Sequence, residues 1–379
     1  MKIKADNIRF KRFIIRMLLY TGLSVWFTPV FCSSGDTLFA GALHPYGRYT
    51  LTKDGNVELI SSAVHFGFSF SGSQCILYAF ISDPAGHNYL QYTLDGVYQK
   101  RLKISGAGTQ RLAIDGIENG KHIIWIYKAT EATTGPIFIE KIFAKNVVAL
   151  KVPDKPLIEF IGNSITCGAA ADPSETPCGT GEYHDQHNAY YAYGPMVSRT
   201  LNANFILSSV SGIGIYRNWN SLVPTMPQVY EKTDFEGNSV RYWNFTSYRP
   251  RIVSIALGTN DFSDGDGKNP RLPFDSVVFV NEYLRFVKQV ESKYPDAQIA
   301  LLSSPMLRGD KRERLQNCLT AVKDQMDRAN QSGISIALFF FEPMQARGCS
   351  GHPSVEDHAI LAEELAPFFK KLLDRTIVK

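Results

Sequence analysis

Four short polar segments beyond residue 157 each follow an apolar run, and between them they hold the groups that acyl transfer needs. Asn163-Ser164-Ile165-Thr166 follows LIEFIG and Ser211-Gly212-Ile213-Gly214 follows ILSSV. Gly258-Thr259-Asn260-Asp261 follows IVSIAL, and the loop after the last run holds Gly348-Cys349-Ser350-Gly351-His352-Pro353. Hydrolysing an ester requires a nucleophile, a base to take its proton, and hydrogen-bond donors for the oxyanion that develops. A serine hydroxyl, an imidazole, backbone N–H groups beside glycine and a carboxamide are the residue types that fill those roles. Each segment alone has a plainer explanation: a serine after a strand caps a helix, a glycine pair turns the chain, and a lone histidine is structural. Four of them in this order on one sheet are harder to dismiss, because function in open α/β sheets collects at the carboxyl ends of the strands.

The elements that must position these groups are legible in the hydrophobic pattern. Residues 37–150 contain short runs rich in β-branched and aromatic residues: RYTLT, VHFGFSFSG, CILYAFI, LQYTLDG, QRLAID, KHIIWIYKA and IFIEKIFA. Turn signals at Lys53-Asp54-Gly55, Asp95-Gly96 and Asn119-Gly120 separate them. Strands at a spacing of roughly 8–12 residues, without helical periodicity, predict an antiparallel sandwich. The two prolines of Val152–Pro156 mark a boundary. From residue 157 the pattern alternates. LIEFIG, ANFILSSVSG, PRIVSIALG, AQIALLSS and ISIALFFF read as strands, with helical stretches AYYAYGPMVSRTLN, VFVNEYLRFVKQVESKY, RERLQNCLTAVKDQMDRANQSG and VEDHAILAEELAPFFKKLLDR between and after them. Uniformly apolar strands alternating with helices predict a parallel sheet covered on both faces. The expected organisation is an export signal over 1–35, a β-sandwich over 36–152 and an α/β domain over 153–379.

At this point the sequence resembles the SGNH/GDSL hydrolase superfamily. GNSIT at 162–166 is similar to its first block, SGIG at 211–214 to its second, GTND at 258–261 to its third and GHPS at 351–354 to its last. The first block has Asn and Ile around the serine where the superfamily's nickname has Asp and Leu. The resemblance implies Ser164 as nucleophile and His352 as base. It also implies an oxyanion hole made of the Ser164 N–H, the Gly212 N–H and the Asn260 side chain. The β-rich region, with GRY at 47–49, makes the best match carbohydrate esterase family 2, which places a jelly-roll domain before an SGNH domain and removes acetyl groups from plant polysaccharides. Superfamily members commonly carry an Asp two or three residues before the histidine. Here those positions are Ser350 and Cys349, and Asp172, Glu342 and Asp357 lack the expected spacing. The family resemblance allows a Ser–His dyad whose ring is held by a main-chain carbonyl.

Other chemistry is set aside. Thr166 breaks the G-x-S-x-G nucleophile elbow of ordinary α/β-hydrolases, and neither HExxH nor a P-loop occurs. His184-Asp185-Gln186-His187 reads as a polar surface loop rather than as metal ligands. Tyr216, Trp219 and Trp243 fit a sugar subsite or the core equally well. Among six cysteines, Cys167–Cys178 is the easiest bridge to propose and Cys318–Cys349 a second option, with Cys75 a buried thiol.

The 379-residue chain is 44% hydrophobic and 20% charged, which excludes disorder, collagen and coiled coil. Its net charge of +4 is confined to residues 1–34, which carry six basic groups and one acid; the remainder holds 34 basic and 35 acidic residues. That remainder has no global charge to attract nucleic acid or an anionic membrane. The basic stretch ending at Arg16, the apolar run Met17–Phe31 and the small residues after it read as a signal peptide. Lipoprotein anchoring at Cys32 is a poorer fit, because bulky Phe31 precedes it. The expected protein is an exported, periplasmic or extracellular monomer without cofactor, metal or membrane span in the mature chain. It would remove O-acetyl groups from plant-type polysaccharides or oligosaccharides. The rivals are a glycan-binding protein with a weakened hydrolase domain, and an SGNH esterase or acyltransferase for non-carbohydrate esters.

Overall fold

A computed structural model describes residues 35–268, 270–329 and 335–375. The expected signal segment, including Cys32, lies outside them apart from Gly35. The first part of the chain forms nine antiparallel strands: β1 (Asp36–Phe39), β2 (Tyr49–Leu51), β3 (Val57–Leu59), β4 (His65–Ile81), β5 (His87–Leu94), β6 (Val97–Ser105), β7 (Gln110–Ile114), β8 (Gly120–Lys128) and β9 (Ile137–Leu150). The long strand β4 pairs with β8 through its first half and with β7 through its second, while β9 runs along both. Register breaks around Ser71–Ile76 bend it between these partners. The sheet wraps one apolar core that includes Phe66, Phe68, Leu77, Ile124, Ile126 and Ile139. Only single 3-10 turns interrupt it, at Ala40–Ala42 and Ala132–Thr134.

The second part is an α/β domain whose parallel sheet is built from β10 (Leu157–Gly162), β11 (Asn204–Ser209), β12 (Ile252–Ala256), β13 (Gln298–Leu302) and β14 (Ala337–Phe339) in the order 11-10-12-13-14. Its helices are α1 (Ser164–Cys167), α2 (Tyr193–Thr200), α3 (Met226–Val229), α4 (Ser276–Lys293), α5 (Gly309–Ala329) and α6 (Val355–Arg375). One face buries α3, α4 and α5 through residues such as Met226, Phe279, Tyr283, Leu315 and Leu319. The other buries α2 and α6 through Val197, Leu361, Leu365 and Phe369. The fold class is therefore an all-β domain followed by a parallel α/β domain covered on both faces. The strand order decides the site: β10 lies between β11 and β12, so the segments bearing Ser164, Gly212 and Asn260 leave neighbouring strands at one end of the sheet.

Both sheets belong to one compact unit, and Arg48 of the GRY motif ties them. Its fully buried guanidinium donates to the carbonyls of Tyr230 (2.8 Å) and Lys232 (2.6 Å) and to Ser208 Oγ (3.2 Å). It lies 4.0 Å from Glu159 on β10 and 4.2 Å from the Phe235 ring centre. Glu159 is completed by Ser208 Oγ at 2.6 Å and Tyr230 Oη at 3.1 Å. Removing one member of a buried pair strands the other charge. Arg48→Ala is expected to destabilise the protein by about 3–5 kcal/mol in denaturant unfolding.

Candidate active site

The serine is presented by a short, sharply turned helix start. Asn163 is the N-cap of α1, and its Oδ1 accepts the Ile165 N–H at 3.1 Å. Ser164 is then the first helical residue, where the backbone N–H has no intrahelical acceptor. A Cβ at Gly162 would meet Thr166 Oγ1 at 2.0 Å, so only glycine fits the strand end before the turn. Ser164 is buried, at 7% exposure.

His352 arrives from the other end of the chain, 188 residues away, with Nε2 at 2.9 Å from Ser164 Oγ. Its Nδ1 faces the main-chain carbonyl of Ser350 at 3.0 Å. That contact places the proton on Nδ1 and leaves Nε2 free to accept. Ser350 holds a left-handed conformation, φ 51° and ψ 33°, which is uncommon outside glycine and points to a constrained loop. The loop is held by Cys349 N–H to the Ala170 carbonyl (2.8 Å), by Gly348 N–H to the His352 carbonyl (2.8 Å), and by a disulfide from Cys349 to Cys178. Burial pushes the His352 pKa below its ordinary value, opposed by the Ser350 carbonyl.

Among the described residues, no carboxylate is hydrogen-bonded to the His352 ring. Asp357 accepts the Arg347 and Ser354 N–H groups at 2.8 and 3.0 Å and the Arg347 guanidinium at 2.6 Å. Glu342 pairs with Arg312 at 3.3 Å, and Asp172 accepts from Asn188 Nδ2 at 2.7 Å.

The donor side is a tight loop. Gly212 has φ +74°, which favours glycine. Its carbonyl accepts the Trp219 N–H at 2.7 Å, and Asn260 Nδ2 donates to the Ile213 carbonyl at 2.8 Å, joining the third segment to the second. Asp261, fully buried, takes the N–H groups of Ile215 (3.0 Å) and Tyr216 (2.9 Å). The structure thus brings Ser164 into contact with His352, and Asn260 into contact with the loop of Gly212, at the same end of the sheet.

Several sequence readings change. The disulfide is neither Cys167–Cys178 nor Cys318–Cys349: Cys167 and Cys318 are free and buried, and Cys178 crosses 171 positions to Cys349. Cys75 is a buried free thiol, as its apolar neighbours predict. The 184–187 segment is not a polar surface loop, since Asp185, Gln186 and His187 are buried. The reason is coverage by the β domain. Asp185 is hydrogen-bonded to His87 Nε2 and accepts Tyr89 Oη (2.8 Å) and the Glu182 N–H (2.8 Å), while His184 Nε2 sits 3.1 Å from the His87 carbonyl. His87, His184 and Asp185 bring ligand atoms within 4.8 Å of one another, but protein hydrogen bonds already occupy Asp185, His87 Nε2 and His184 Nε2. The trio is a latch between β5 and the Tyr183–Gln186 turn.

Of the three aromatics, Trp243 packs at the seam, 5.2 Å from the Arg48 guanidinium, and Tyr216 packs on Phe274 and Phe279. Trp219, at 48% exposure, is the one beside the Gly212 loop. Sequence reasoning missed Tyr183, whose hydroxyl is 3.3 Å from His352 Nε2, and buried Glu131 and His187 behind it. Their only signal was the HDQH cluster, and TEATT around Glu131 carries none.

Residues 46–153 match the family described as carbohydrate esterase 2 N-terminal, and residues 160–359 match the GDSL-like lipase/acylhydrolase family. The chain is 29% identical over 340 residues to the cellulase/esterase CelE of Acetivibrio thermocellus, covering 86% of this chain but 39% of that protein. It is 26% identical over 351 residues to an acetylxylan esterase / glucomannan deacetylase of Cellvibrio japonicus, covering 90% and 92%. A family two carbohydrate esterase from Cellvibrio japonicus has the same fold, with a TM-score of 0.78 at 24% identity over 90% of this chain and 98% of that one. One from Clostridium thermocellum, solved in complex with cellohexaose, superposes with a TM-score of 0.76 at 26% identity over 89% and 99%. The paired domains, the four segments at one sheet end and these matches agree: the chain belongs to the GDSL-like lipase/acylhydrolase family, in the arrangement of the family 2 carbohydrate esterases.

Proposed function

We propose that this protein is an exported esterase that removes O-acetyl groups from plant-type polysaccharides or oligosaccharides by Ser–His catalysis, acting as a monomer without a cofactor. The observation that carries the chemistry is the 2.9 Å approach of His352 Nε2 to Ser164 Oγ. His352 takes the hydroxyl proton as Ser164 Oγ attacks the acetyl carbonyl. The oxyanion is received by the N–H groups of Ser164 and Gly212 and by Asn260 Nδ2. Collapse expels the sugar oxygen, which takes the proton from His352 and leaves an acetyl-serine. Water, deprotonated by the same ring, then releases acetate and restores Ser164. The Ser350 carbonyl keeps the ring in the required tautomer throughout.

The carbohydrate as substrate is supported by the activities of the acetylxylan esterase relatives and by the β domain shared with them. Export is supported by the Cys178–Cys349 bridge, since structural disulfides persist in oxidising compartments. The reading is tested by a panel of acetylated xylan and glucomannan oligosaccharides beside acyl esters of increasing length. Discrimination is worth about 10–200-fold per methylene in a fitted acyl pocket. The expected result is acetate release from the oligosaccharides and kcat/KM at least about 100-fold higher for acetyl than for octanoyl esters. Comparable rates on both would replace the carbohydrate reading with that of a lipid esterase. Binding of the oligosaccharides without release of acetate would point to a glycan-binding protein.

A further inference from the structure

The β domain sends one ionisable side chain into the hydrolase site. Glu131 lies in the connection between β8 and β9, yet its carboxylate is 2% exposed. One oxygen accepts the Ser211 N–H at 2.6 Å and lies 3.6 Å from Cys167 Sγ; the other is 3.3 Å from His187 Nε2. These partners sit on three separate parts of the site. Ser211 immediately precedes Gly212, and Cys167 closes the helix that Ser164 opens. His187 packs edge-on against Tyr183 at 4.8 Å, and the Tyr183 hydroxyl reaches His352 Nε2.

We propose that Glu131 is a positioning residue of the esterase: its carboxylate fixes the Ser211–Gly212 peptide so that the Gly212 N–H faces the oxyanion, and its buried negative charge favours the His352 imidazolium that forms in turnover. The β domain then completes the catalytic apparatus as well as flanking it. Two observations support the assignment. Glu131 is the acceptor of the Ser211 N–H, on the entry side of Gly212, whereas the bonds of Asn260 Nδ2 to the Ile213 carbonyl, of the Trp219 N–H to the Gly212 carbonyl and of the Gly214 N–H to Asn218 Oδ1 lie at Gly212 or beyond it. And where a triad would place a carboxylate on the base, His352 has a neutral carbonyl, which favours the imidazolium but brings no negative charge to it. Burial works to raise the Glu131 pKa, but the hydrogen bond and charge of His187 and the hydrogen bonds of Ser211 outweigh it and bring it to about 2, so the group is an anion at neutral pH. The groups that face His352 are Ser164 from α1, Tyr183 and His187 from the 183–187 segment, His358 from α6, and Glu131. Glu131 is the one anion among them and favours the imidazolium, while the charge of His187 works against it.

The inference rests on the esterase reading, and Glu131→Gln tests it separately. The amide keeps the shape and can still accept the Ser211 N–H, but the charge is gone. With 4-nitrophenyl acetate, kcat is expected to fall about 10–100-fold with KM within threefold, the scale of a small misplacement of catalytic groups. The His352 ring, followed by NMR and assigned against His352→Ala, is expected to titrate at lower pH than in the wild type, because losing an anion disfavours the imidazolium. Glu131→Asp keeps the charge on a shorter stem. It should restore the titration toward wild type while kcat stays reduced, and it carries the same comparison if the glutamine variant does not fold. A kcat for Glu131→Gln within twofold of wild type overturns the proposal. So does a fall in kcat accompanied by a lower melting temperature and an unmoved His352 titration, which is the signature of a structural role. If the wild type hydrolyses no acetyl ester, the function proposed above fails, while the ring titration still decides whether Glu131 acts on His352.

Discussion

Ser164→Ala is expected to lower kcat/KM for an activated acetyl ester by at least about 10⁴-fold, with the melting temperature within a few degrees of wild type. Removing a serine nucleophile from a working Ser–His pair leaves only the oxyanion donors and binding, and losses of that order follow. The fold should survive because α1 does not depend on the hydroxyl. Its cap is Asn163, its C-terminal turn is closed by Gly168 in the left-handed conformation, and the Ser164 side chain bonds His352 rather than the core. Steady-state hydrolysis and circular dichroism on the same preparation check both halves. Near-normal turnover by a folded Ser164→Ala protein would show that the nucleophile lies elsewhere.

His352→Ala should be almost as damaging, at least about 10³-fold, while Ser350→Ala, Glu342→Gln and Asp357→Asn should each lose less than about tenfold, equivalent to roughly 1.4 kcal/mol. The contrast follows from what touches the ring. The acceptor on Nδ1 is the Ser350 carbonyl, which Ser350→Ala retains. Glu342 is on the surface with Arg312, and Asp357 caps the start of α6 and holds Arg347. Asp357→Asn is therefore expected to lower stability more than turnover. A folded carboxylate variant as inactive as His352→Ala would reveal a hidden third member and end the dyad. The pH profile carries the same assignment. The base must be neutral, and burial sets its pKa below the ordinary imidazole range. Activity should thus persist below about pH 6.5 and fall only as pH drops through that lowered pKa.

How much of this was legible beforehand differs from element to element. The apolar run LIEFIG is β10 residue for residue, and the runs singled out within 37–150 lie in strands, although VHFGFSFSG and CILYAFI share the single strand β4 and β1, β3 and β6 were not among them. Such elements are dictated locally, by apolar patterning that only a covered strand can bury and by glycines at turns. The four chemical segments were legible for the same reason, since each follows a strand whose end is set by local sequence. ISIALFFF was less faithful. Among its described residues the strand is Ala337–Phe339, an edge strand paired on one side to β13.

The tertiary structure alone decided which of these pieces meet. Strand order is not written in any one strand, and it is the placing of β10 between β11 and β12 that gathers Ser164, Gly212 and Asn260. The Cys178–Cys349 pairing, the Ser350 carbonyl on His352 and the burial of Asp185 and His187 under the β domain all depend on segments about 100 or more residues apart, or on one backbone conformation at Ser350. Glu131 is the clearest case. In sequence it is a single acid in a polar turn, and only docking of the two sheets makes it a buried anion beside Ser211 and His187. Local patterning determines what each segment is, because it is fixed by the backbone and by the water that segment must avoid. Proximity between segments is fixed by the packing of the whole core, which no local window contains.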